Sequence, residues 1–162
     1  MTYGYHLRTA LRFCAGLALL GPVAAQAQQV RISRLTDVAF GTISNFATDQ
    51  TRTQNVCAHS TSPTRGYRVT ARGSGAAFAF TLASGSNRLA YEVQWAGSTG
   101  QSVGTSLVAN VAQGGFTGRG NTSTCGNGVR TASLITILRS TAIGSVTAGA
   151  YTGTLTLILA PV

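Results

Sequence analysis

The end of the chain, from Gly149 to Val162, alternates strictly between two kinds of side chain. One parity carries Tyr151, Gly153, Leu155, Leu157 and Leu159, and the other carries Thr152, Thr154 and Thr156. A period of two fits a strand with one buried and one wet face, because a helix distributes such residues around its axis. The pattern predicts a strand over Tyr151 to Ala160. This strand needs a sheet that comes from this chain or from another one.

Similar alternation recurs in shorter segments upstream, with turn-forming clusters between them. The other predicted strands are Val30 to Ile43, Thr53 to Cys57, Gly66 to Arg72, Ala77 to Leu82, Arg88 to Trp95, Ser106 to Val111 and Ala132 to Arg139. The predicted turns and loops are Ser60 to Pro63, Gly73 to Gly75, Ser84 to Asn87, Gly97 to Gly104 and Gly114 to Gly128. No segment has a helical period, and the 20 glycines disfavour long helices. Many short strands at this spacing predict an all-β sandwich.

Two internal strands predict which side chains form the core. In the segment from Arg88 to Trp95, the buried parity is Leu89, Tyr91, Val93 and Trp95. In the segment from Gly66 to Arg72, the buried parity is Tyr67, Val69 and Ala71, and the outward parity is Arg68, Thr70 and Arg72. With Phe78, Phe80 and Leu82, these residues supply the aromatic part of one core.

The first 27 residues have the three parts of a secretory signal. Arg8 and Arg12 precede an apolar stretch from Phe13 to Val23, and Ala25-Gln26-Ala27 is a small-x-small site that predicts cleavage before Gln28. The apolar stretch is shorter than the ~20 residues of a membrane span, so we expect no stable membrane anchor. The remaining residues, 28–162, are predicted to form a single domain.

Cys57 and Cys125 are the two cysteines that remain after cleavage, because Cys14 lies in the signal. In an exported protein such a pair predicts a disulfide, which would stabilise the fold by roughly 4 kcal/mol in the chain-entropy model. The alternative is that Cys57 and His59 bind a metal. Two ligands are only half a site and no second cluster follows, so we expect neither a metal nor a cofactor.

The chain is strongly basic. The chain has 12 basic residues, all of them arginine, against 3 acidic ones, which gives a net charge of +9. A polyanionic partner is one interpretation. However, the arginines are spread along the chain, and only Arg65, Arg68 and Arg72 lie close together, so a solvated outer face is favoured and no nucleic-acid partner is expected.

Few residues are available for catalysis in the predicted mature chain. Acid–base or nucleophilic chemistry would have to use His59, Asp37, Asp49, Glu92 and the tyrosines. Glu92 lies on the polar face of its strand, and Asp49 lies in a polar turn where we expect it to bond to its own backbone. The sequence therefore predicts a domain with no catalytic residues.

Several motifs occur in an order that resembles the spore coat protein U domain family, which is similar to the pilins of archaic chaperone-usher systems. They are an early Phe40-Gly41-Thr42, Cys57 at the end of the next strand, Leu89-x-Tyr91-x-Val93, and the closing segment from Ala148 to Leu157. The resemblance covers most of residues 38–162.

The resemblance implies an immunoglobulin-like sandwich that lacks its last strand. In such pilins a periplasmic chaperone, and then the N-terminal tail of a neighbouring pilus subunit, adds the missing strand, and an outer-membrane usher exports the fibre. Carried over by position, the groove and its acceptor strand comprise Gly149, Tyr151, Leu155, Leu157 and Leu159. On this basis the chain is a secreted structural or adhesive subunit of a pilus or surface coat.

The candidate donor tail is short, because Val30 and Ile32 alternate cleanly before Arg34 interrupts the apolar face. The subunit would then accept a strand better than it donates one, as a terminal subunit does, or the segment is its own first strand. The alternative function is a self-contained binding module for a glycan or polyanion. That module would use Trp95, Tyr91 or the arginines near residue 68, although the parity of Trp95 favours a place in the core.

Overall fold

The computed structural model describes residues 27–118, 125 and 128–162. The predicted signal segment and Ala25 lie outside the described residues, whereas Ala27 and Gln28 are exposed at the start of the described chain. The strands are β1 (Val30–Ser33), β2 (Gln50–Ser60), β3 (Gly66–Gly73), β4 (Thr81–Ser84), β5 (Asn87–Ala90), β6 (Glu92–Ala96), β7 (Thr105–Ser106), β8 (Ala112–Thr117), β9 (Ala132–Leu138) and β10 (Leu155–Pro161). One short helix, α1 (Ser140–Gly144), follows β9.

The strands form two main sheets in which all pairs are antiparallel. The five-stranded sheet has the order β1-β2-β9-β6-β7, the three-stranded sheet has the order β10-β3-β8, and β4 and β5 form a hairpin. The inner faces of both sheets contribute to one buried cluster, which includes Val56 and Leu134 from the first sheet and Val69 from the second. The prediction of an all-β sandwich is confirmed.

The predicted core parities are also confirmed, but the expectation that Phe78 belongs to the core is wrong. The left-handed turn at Ala77 and Phe78 leaves the Phe78 ring 43 % exposed, outside the core. Tyr67, Val69 and Ala71 are fully buried on β3, and Arg68 between them is exposed. The residues Leu89, Tyr91, Val93 and Trp95 are all buried. They do not lie on one continuous strand, however, because the chain changes partner at Tyr91: β5 pairs with β4, and β6 pairs with β9.

Two predicted strands near the N-terminus are wrong in extent. The strand expected over Val30 to Ile43 ends at Ser33, because Arg34 adopts a left-handed conformation (φ 67°) that turns the chain away. The strand expected from Ala77 starts only at Thr81, because Ala76–Phe78 form a turn of 3-10 helix with Ala77 at φ 51°.

The strand predicted over Ser106 to Val111 is also wrong. Only Thr105–Ser106 pair, and the next strand, β8, covers Ala112–Thr117, partly in the region predicted as a glycine-rich loop. The reason is a turn in which Val111 N bonds to Val108 O at 3.1 Å and Asn110 has a φ of 61°. The two valines therefore point outward from a turn instead of alternating in a sheet.

The last strand starts later than its alternation predicts. Thr152 pairs with Ala83 of β4 through two backbone hydrogen bonds of 2.7 and 3.0 Å, and pairing with β3 begins only at Leu155. Gly153 allows this transfer, since a Cβ there would lie 3.0 Å from the carbonyl oxygen of Thr81. The closing segment thus contacts two strands in succession.

The two cysteines that were predicted to form a disulfide are adjacent in the fold. Cys57 and Cys125 are joined with 6.0 Å between their Cα atoms, and both are buried. A disulfide is characteristic of an oxidising compartment. In the part of the chain that the structure describes, no helix is long and apolar enough to span a membrane.

Candidate functional site

The last strand, β10, lies at an edge of the three-stranded sheet. One of its edges pairs with β3 along its whole length, from Leu155 opposite Gly73 to Pro161 opposite Tyr67. Among the described residues, no strand pairs with its second edge. Such an edge presents unpaired backbone groups to any further strand.

The hydrogen bond that follows β10 indicates which amides face the free edge. Val162 N donates to Gly66 O at 3.2 Å, so the N–H groups of Ala160, Ile158 and Thr156 share this direction, toward β3. The N–H groups of Leu155 and Leu157 therefore point toward the free edge. Pro161 has the same parity as these leucines. This position supports the assignment of the free edge, because proline has no N–H and is tolerated only on an unpaired edge.

An apolar groove of about 1210 Å³ lies beside this edge. The start of β10 and the segment before it, residues 143–155, form one wall. The floor consists of core side chains, among them Leu89, Leu134 and Leu138. Residues 35–43 together with Phe46 form the opposite wall, which we call the lip. The groove thus opens directly onto the hydrophobic core.

Side chains of β2 hold the lip in place. Arg52 donates from Nε to Ala39 O at 3.2 Å and from Nη2 to Phe40 O at 3.0 Å, and its guanidinium lies 5.6 Å from the centre of the Phe40 ring. Thr36 N donates to Gln54 Oε1 at 3.3 Å. No backbone hydrogen bond joins the lip to β2 in the described residues. The lip is therefore an irregular segment attached by side chains and not a paired strand.

β1 lies beside β10 near one end of the groove. Val30 of β1 pairs with Ser60, and the Ser60 hydroxyl donates to Gly66 O at 3.0 Å. Gly66 precedes Tyr67, which pairs with Pro161 at the end of β10. β1 therefore lies along the second half of β10. Val30 and Ile32, the candidate donor tail, pair with β2 in this structure and pack against the core as the chain's own first strand.

The structure brings four of the five predicted groove residues together. Gly149, Tyr151, Leu155 and Leu157 line the groove, and the Tyr151 hydroxyl donates to Thr147 O at 2.8 Å. Leu159 lies outside it, on the half of β10 next to β1, and packs against the core. The sequence did not predict that the lip and the core side chains of the floor line a groove, although the alternation of Val38, Ala39 and Phe40 was a local signal for the lip.

Trp95 is not available to a ligand. Its exposed fraction is 0 %, and the expectation that it belongs to the core is confirmed, so a surface contact through this side chain is excluded. Tyr91 is also buried, packs on Phe80 with 5.7 Å between ring centres, and reaches the groove only as part of its floor. Of the three neighbouring arginines, Arg65 and Arg68 are exposed and Arg72 is partly buried.

The expected local role of Asp49 is wrong, because its carboxylate bonds across the fold. It accepts hydrogen bonds of 2.8 Å from Ser140 N at the start of α1 and from Arg139 Nη1. The Ser140 N–H, followed by Arg139, lowers the pKa of Asp49, and hydrogen bonds from Arg139 lower the pKa of Glu92. Two of the acidic side chains are thus tied to one guanidinium, and we call this group the Arg139 clasp.

His59 lies on β2 with 4 % of its surface exposed, and its Nδ1 has no hydrogen-bond partner among the described residues. Across residues 27–118, 125 and 128–162, no group of three His, Cys, Asp or Glu side chains is placed to bind a metal. The described part of the chain therefore offers the strand-lined groove, and not a polar cluster, as its candidate site.

Comparison with solved structures relates the fold to fimbrial proteins. The chain superimposes on a chain from a chaperone–tip adhesin complex, which is vital for synergistic activation of CFA/I fimbriae biogenesis, with a TM-score of 0.51 and 12 % identity. The match covers 83 % of this chain and 41 % of that chain, so this chain spans less than half of its length. No family model and no curated protein matches the sequence. The likeness shows a shared sandwich fold, and the resemblance to the spore coat protein U domain rests on the sequence motifs.

Proposed function

We propose that this chain is an exported structural or adhesive subunit of a chaperone-usher pilus or related surface coat, and that a strand from a partner completes it. The free edge of β10 beside an apolar groove carries this proposal. A partner strand would pair with the edge, and its alternate side chains would fill the groove. The fold would then be an immunoglobulin-like sandwich whose last strand comes from outside the chain.

The energetics favour an extended occupant with apolar side chains at every second position. The N–H groups of Leu155 and Leu157 point to the free edge, so an added strand gains backbone hydrogen bonds there. Each large apolar side chain that becomes fully buried in the groove contributes roughly 1.5–3 kcal/mol. Three such anchors would supply roughly 4.5–9 kcal/mol, which offsets much of the cost of ordering the strand's backbone at about 1–2 kcal/mol per residue, and the new backbone hydrogen bonds add to this.

The order of the motifs from Phe40 to the closing segment supports a relationship to archaic pilins. The partners proposed here are those of such pilins. A periplasmic chaperone would fill the groove first, and a neighbouring subunit would replace it at an outer-membrane usher. The Cys57–Cys125 pair fits export into an oxidising compartment. On this proposal the chain assembles with other subunits in adhesion and biofilm formation, and it is not an enzyme.

The position of β1 favours a subunit that accepts a strand. Val30 and Ile32 lie within the sheet, paired with Ser60 and Ala58, so the same residues cannot reach a neighbour unless β1 detaches from β2. A subunit at one end of a fibre needs only to accept. On this proposal the chain accepts a strand more readily than it donates one, as a terminal subunit does.

The test uses one residue on each side of β10. Leu157 lines the groove, whereas its neighbour Ile158 is 40 % exposed on the outer face. The mature chain, Leu157→Arg and Ile158→Arg would each be produced in a bacterial periplasm with and without a candidate chaperone, and analysed by size-exclusion chromatography. The matched variants carry the same new charge on the same strand.

We expect the unmodified chain and Ile158→Arg to be recovered as one-to-one chaperone complexes, and to be recovered alone only in low yield, as a folded monomer that aggregates with time. Leu157→Arg should give no complex, because a buried charge opposes groove filling. A soluble, stable monomer that does not bind the chaperone would overturn the proposal and favour a self-contained binding module. Equal loss of the complex in both variants would also contradict a role for the groove.

A further inference from the structure

The outer face of the three-stranded sheet is basic. On β3 it presents Arg68, Thr70 and Arg72, and on β10 their partners are Ala160, Ile158 and Thr156. Both arginines have the same parity on β3 and so project from the same side of the sheet, where Arg68 is exposed and Arg72 is partly buried. Because a strand rises about 3.3 Å per residue, Arg68 and Arg72 are ~13 Å apart along β3. We call this surface the basic face.

No acidic residue offsets the charge of the basic face. The strands β3, β8 and β10 contain no Asp or Glu. Asp49 and Glu92 bind Arg139 on the other sheet, and Asp37 lies in the lip. Within the described ranges, Arg68 makes no hydrogen bond or ion pair with a side chain or the backbone. Its charge is available to a ligand.

An aromatic ring stands next to Arg72. The guanidinium carbon of Arg72 lies 4.8 Å from the centre of the Phe78 ring, and its Nε donates to Asn110 Oδ1 at 2.8 Å. Phe78 is 43 % exposed. Ala77 and Phe78 both have left-handed backbones, with φ values of 51° and 65°. The turn is held by its own backbone hydrogen bonds, among them Phe78 N to Gly75 O at 3.1 Å, and it keeps the Phe78 ring beside Arg72.

We infer that the basic face binds an acidic polysaccharide. Its carboxylates would lie on Arg68 and Arg72, a sugar ring would stack against Phe78, and the hydroxyls of Thr70 and Thr156 would bond to sugar hydroxyls. The spacing of the arginines suits several sugar units and not one. Proteins that bind single-stranded nucleic acid stack successive bases on several aromatic side chains, whereas the described part of this face has one. The inference is independent of the groove, because the basic face points away from the core.

The test measures binding of the soluble mature chain, with its chaperone if solubility requires one, to immobilised polygalacturonate. Neutral dextran, double-stranded DNA and the chaperone alone serve as reference samples. The variant Arg68→Gln/Arg72→Gln removes two charges from the basic face, and Phe78→Ala removes the ring. The matched control Arg31→Gln/Arg34→Gln removes two charges from exposed positions at the other sheet. Arg68→Gln alone keeps the test usable if the double variant does not fold.

We expect the double variant to lose at least tenfold in affinity for polygalacturonate, since a single lost charge-assisted hydrogen bond is worth about that factor. Phe78→Ala should lose affinity too, and the Arg31/Arg34 control should change less than the double variant. Equal losses in both arginine pairs, or equal binding to DNA, would overturn the inference, because attraction by net charge alone would then explain the binding. No difference between polygalacturonate and dextran would overturn it as well.

Discussion

The indole Nε1 of Trp95 donates a hydrogen bond of 3.1 Å to the hydroxyl oxygen of Tyr67. Trp95 lies on β6 of the five-stranded sheet and Tyr67 on β3 of the three-stranded sheet, and both side chains are fully buried. The rings meet edge to face, with centroids 6.3 Å apart at 86°. This pair joins the two layers of the sandwich through one polar contact inside an apolar core.

Removal of the Tyr67 hydroxyl should destabilise the fold. Tyr67→Phe keeps the ring but leaves Trp95 Nε1 buried with no acceptor, which costs about 1–3 kcal/mol in unfolding free energy. Urea unfolding with an unchanged m-value would measure the loss. Tyr151→Phe is the control, because that hydroxyl bonds to Thr147 O nearer the surface, and its loss should be smaller. Equal effects of the two variants would contradict a special role of the Trp95 contact.

The same tyrosine predicts a loss of stability in alkali. Burial raises the pKa of Tyr67 from 10.0 to about 12. The folded state then holds the proton more tightly than the unfolded chain, so the stabilisation is complete below the unfolded pKa and is lost as pH rises toward the folded one. We expect the unfolding free energy to fall by roughly 2–3 kcal/mol across that interval. Tyr67→Phe should reduce this fall, and a slope that does not change would contradict the assignment.

The Arg139 clasp predicts a loss of stability in acid. The pKa values of Asp49 and Glu92 are lowered from 3.8 and 4.5, so their contribution is present above those values and is lost as pH falls below them. The groups are exposed, and we expect a modest effect. Arg139→Gln should flatten the dependence of the urea midpoint on acidic pH. Arg88→Gln, which removes bonds to carbonyls only, should keep the slope of the unmodified chain.

The Cys57–Cys125 pair predicts sensitivity to reduction. It closes a sequence separation of 68 residues. In the chain-entropy model, this loop is worth roughly 4 kcal/mol through the unfolded state. Reduction of the unmodified chain should lower the unfolding free energy by that order, measured in urea with and without a reductant. A change below about 1 kcal/mol would show that the crosslink adds little, as native strain can cause.

Much of the sandwich could be predicted from period-two alternation. The buried parities of Tyr67 to Ala71 and Leu89 to Trp95 were found because each strand has one dry face, and this property is local. The change of sheet at Tyr91 could not be predicted, because the residues before and after Tyr91 continue the same alternation of buried and exposed side chains. Alternation reports which face is buried, and it does not report which strand is the partner.

The groove was only half predictable for a related reason. The wall that includes Leu155 and Leu157 could be predicted, because the alternation that marks these residues as inward-facing lies within their own strand. The opposite wall depends on Arg34, whose positive φ ends β1, and on Arg52 and Gln54, which reach the lip across the fold. The Gly114-Gly115 pair similarly predicts a loop, whereas β8 continues through it as a bulge, and Gln113 and Phe116 on either side pair with β3. Tertiary pairing overrides a weak local β-propensity at such positions.

Residue-by-residue amide exchange along β10 tests the central claim most directly. In the mature chain without a partner, the amides of Thr156 and Ile158 should be protected by β3, and those of Leu155 and Leu157 should exchange much faster from the free edge. Once a chaperone or donor strand is bound, the two leucine amides should become as slow as their neighbours. Equal protection of all four amides in the chain alone would contradict an open edge, and with it the account of a sandwich completed by a partner.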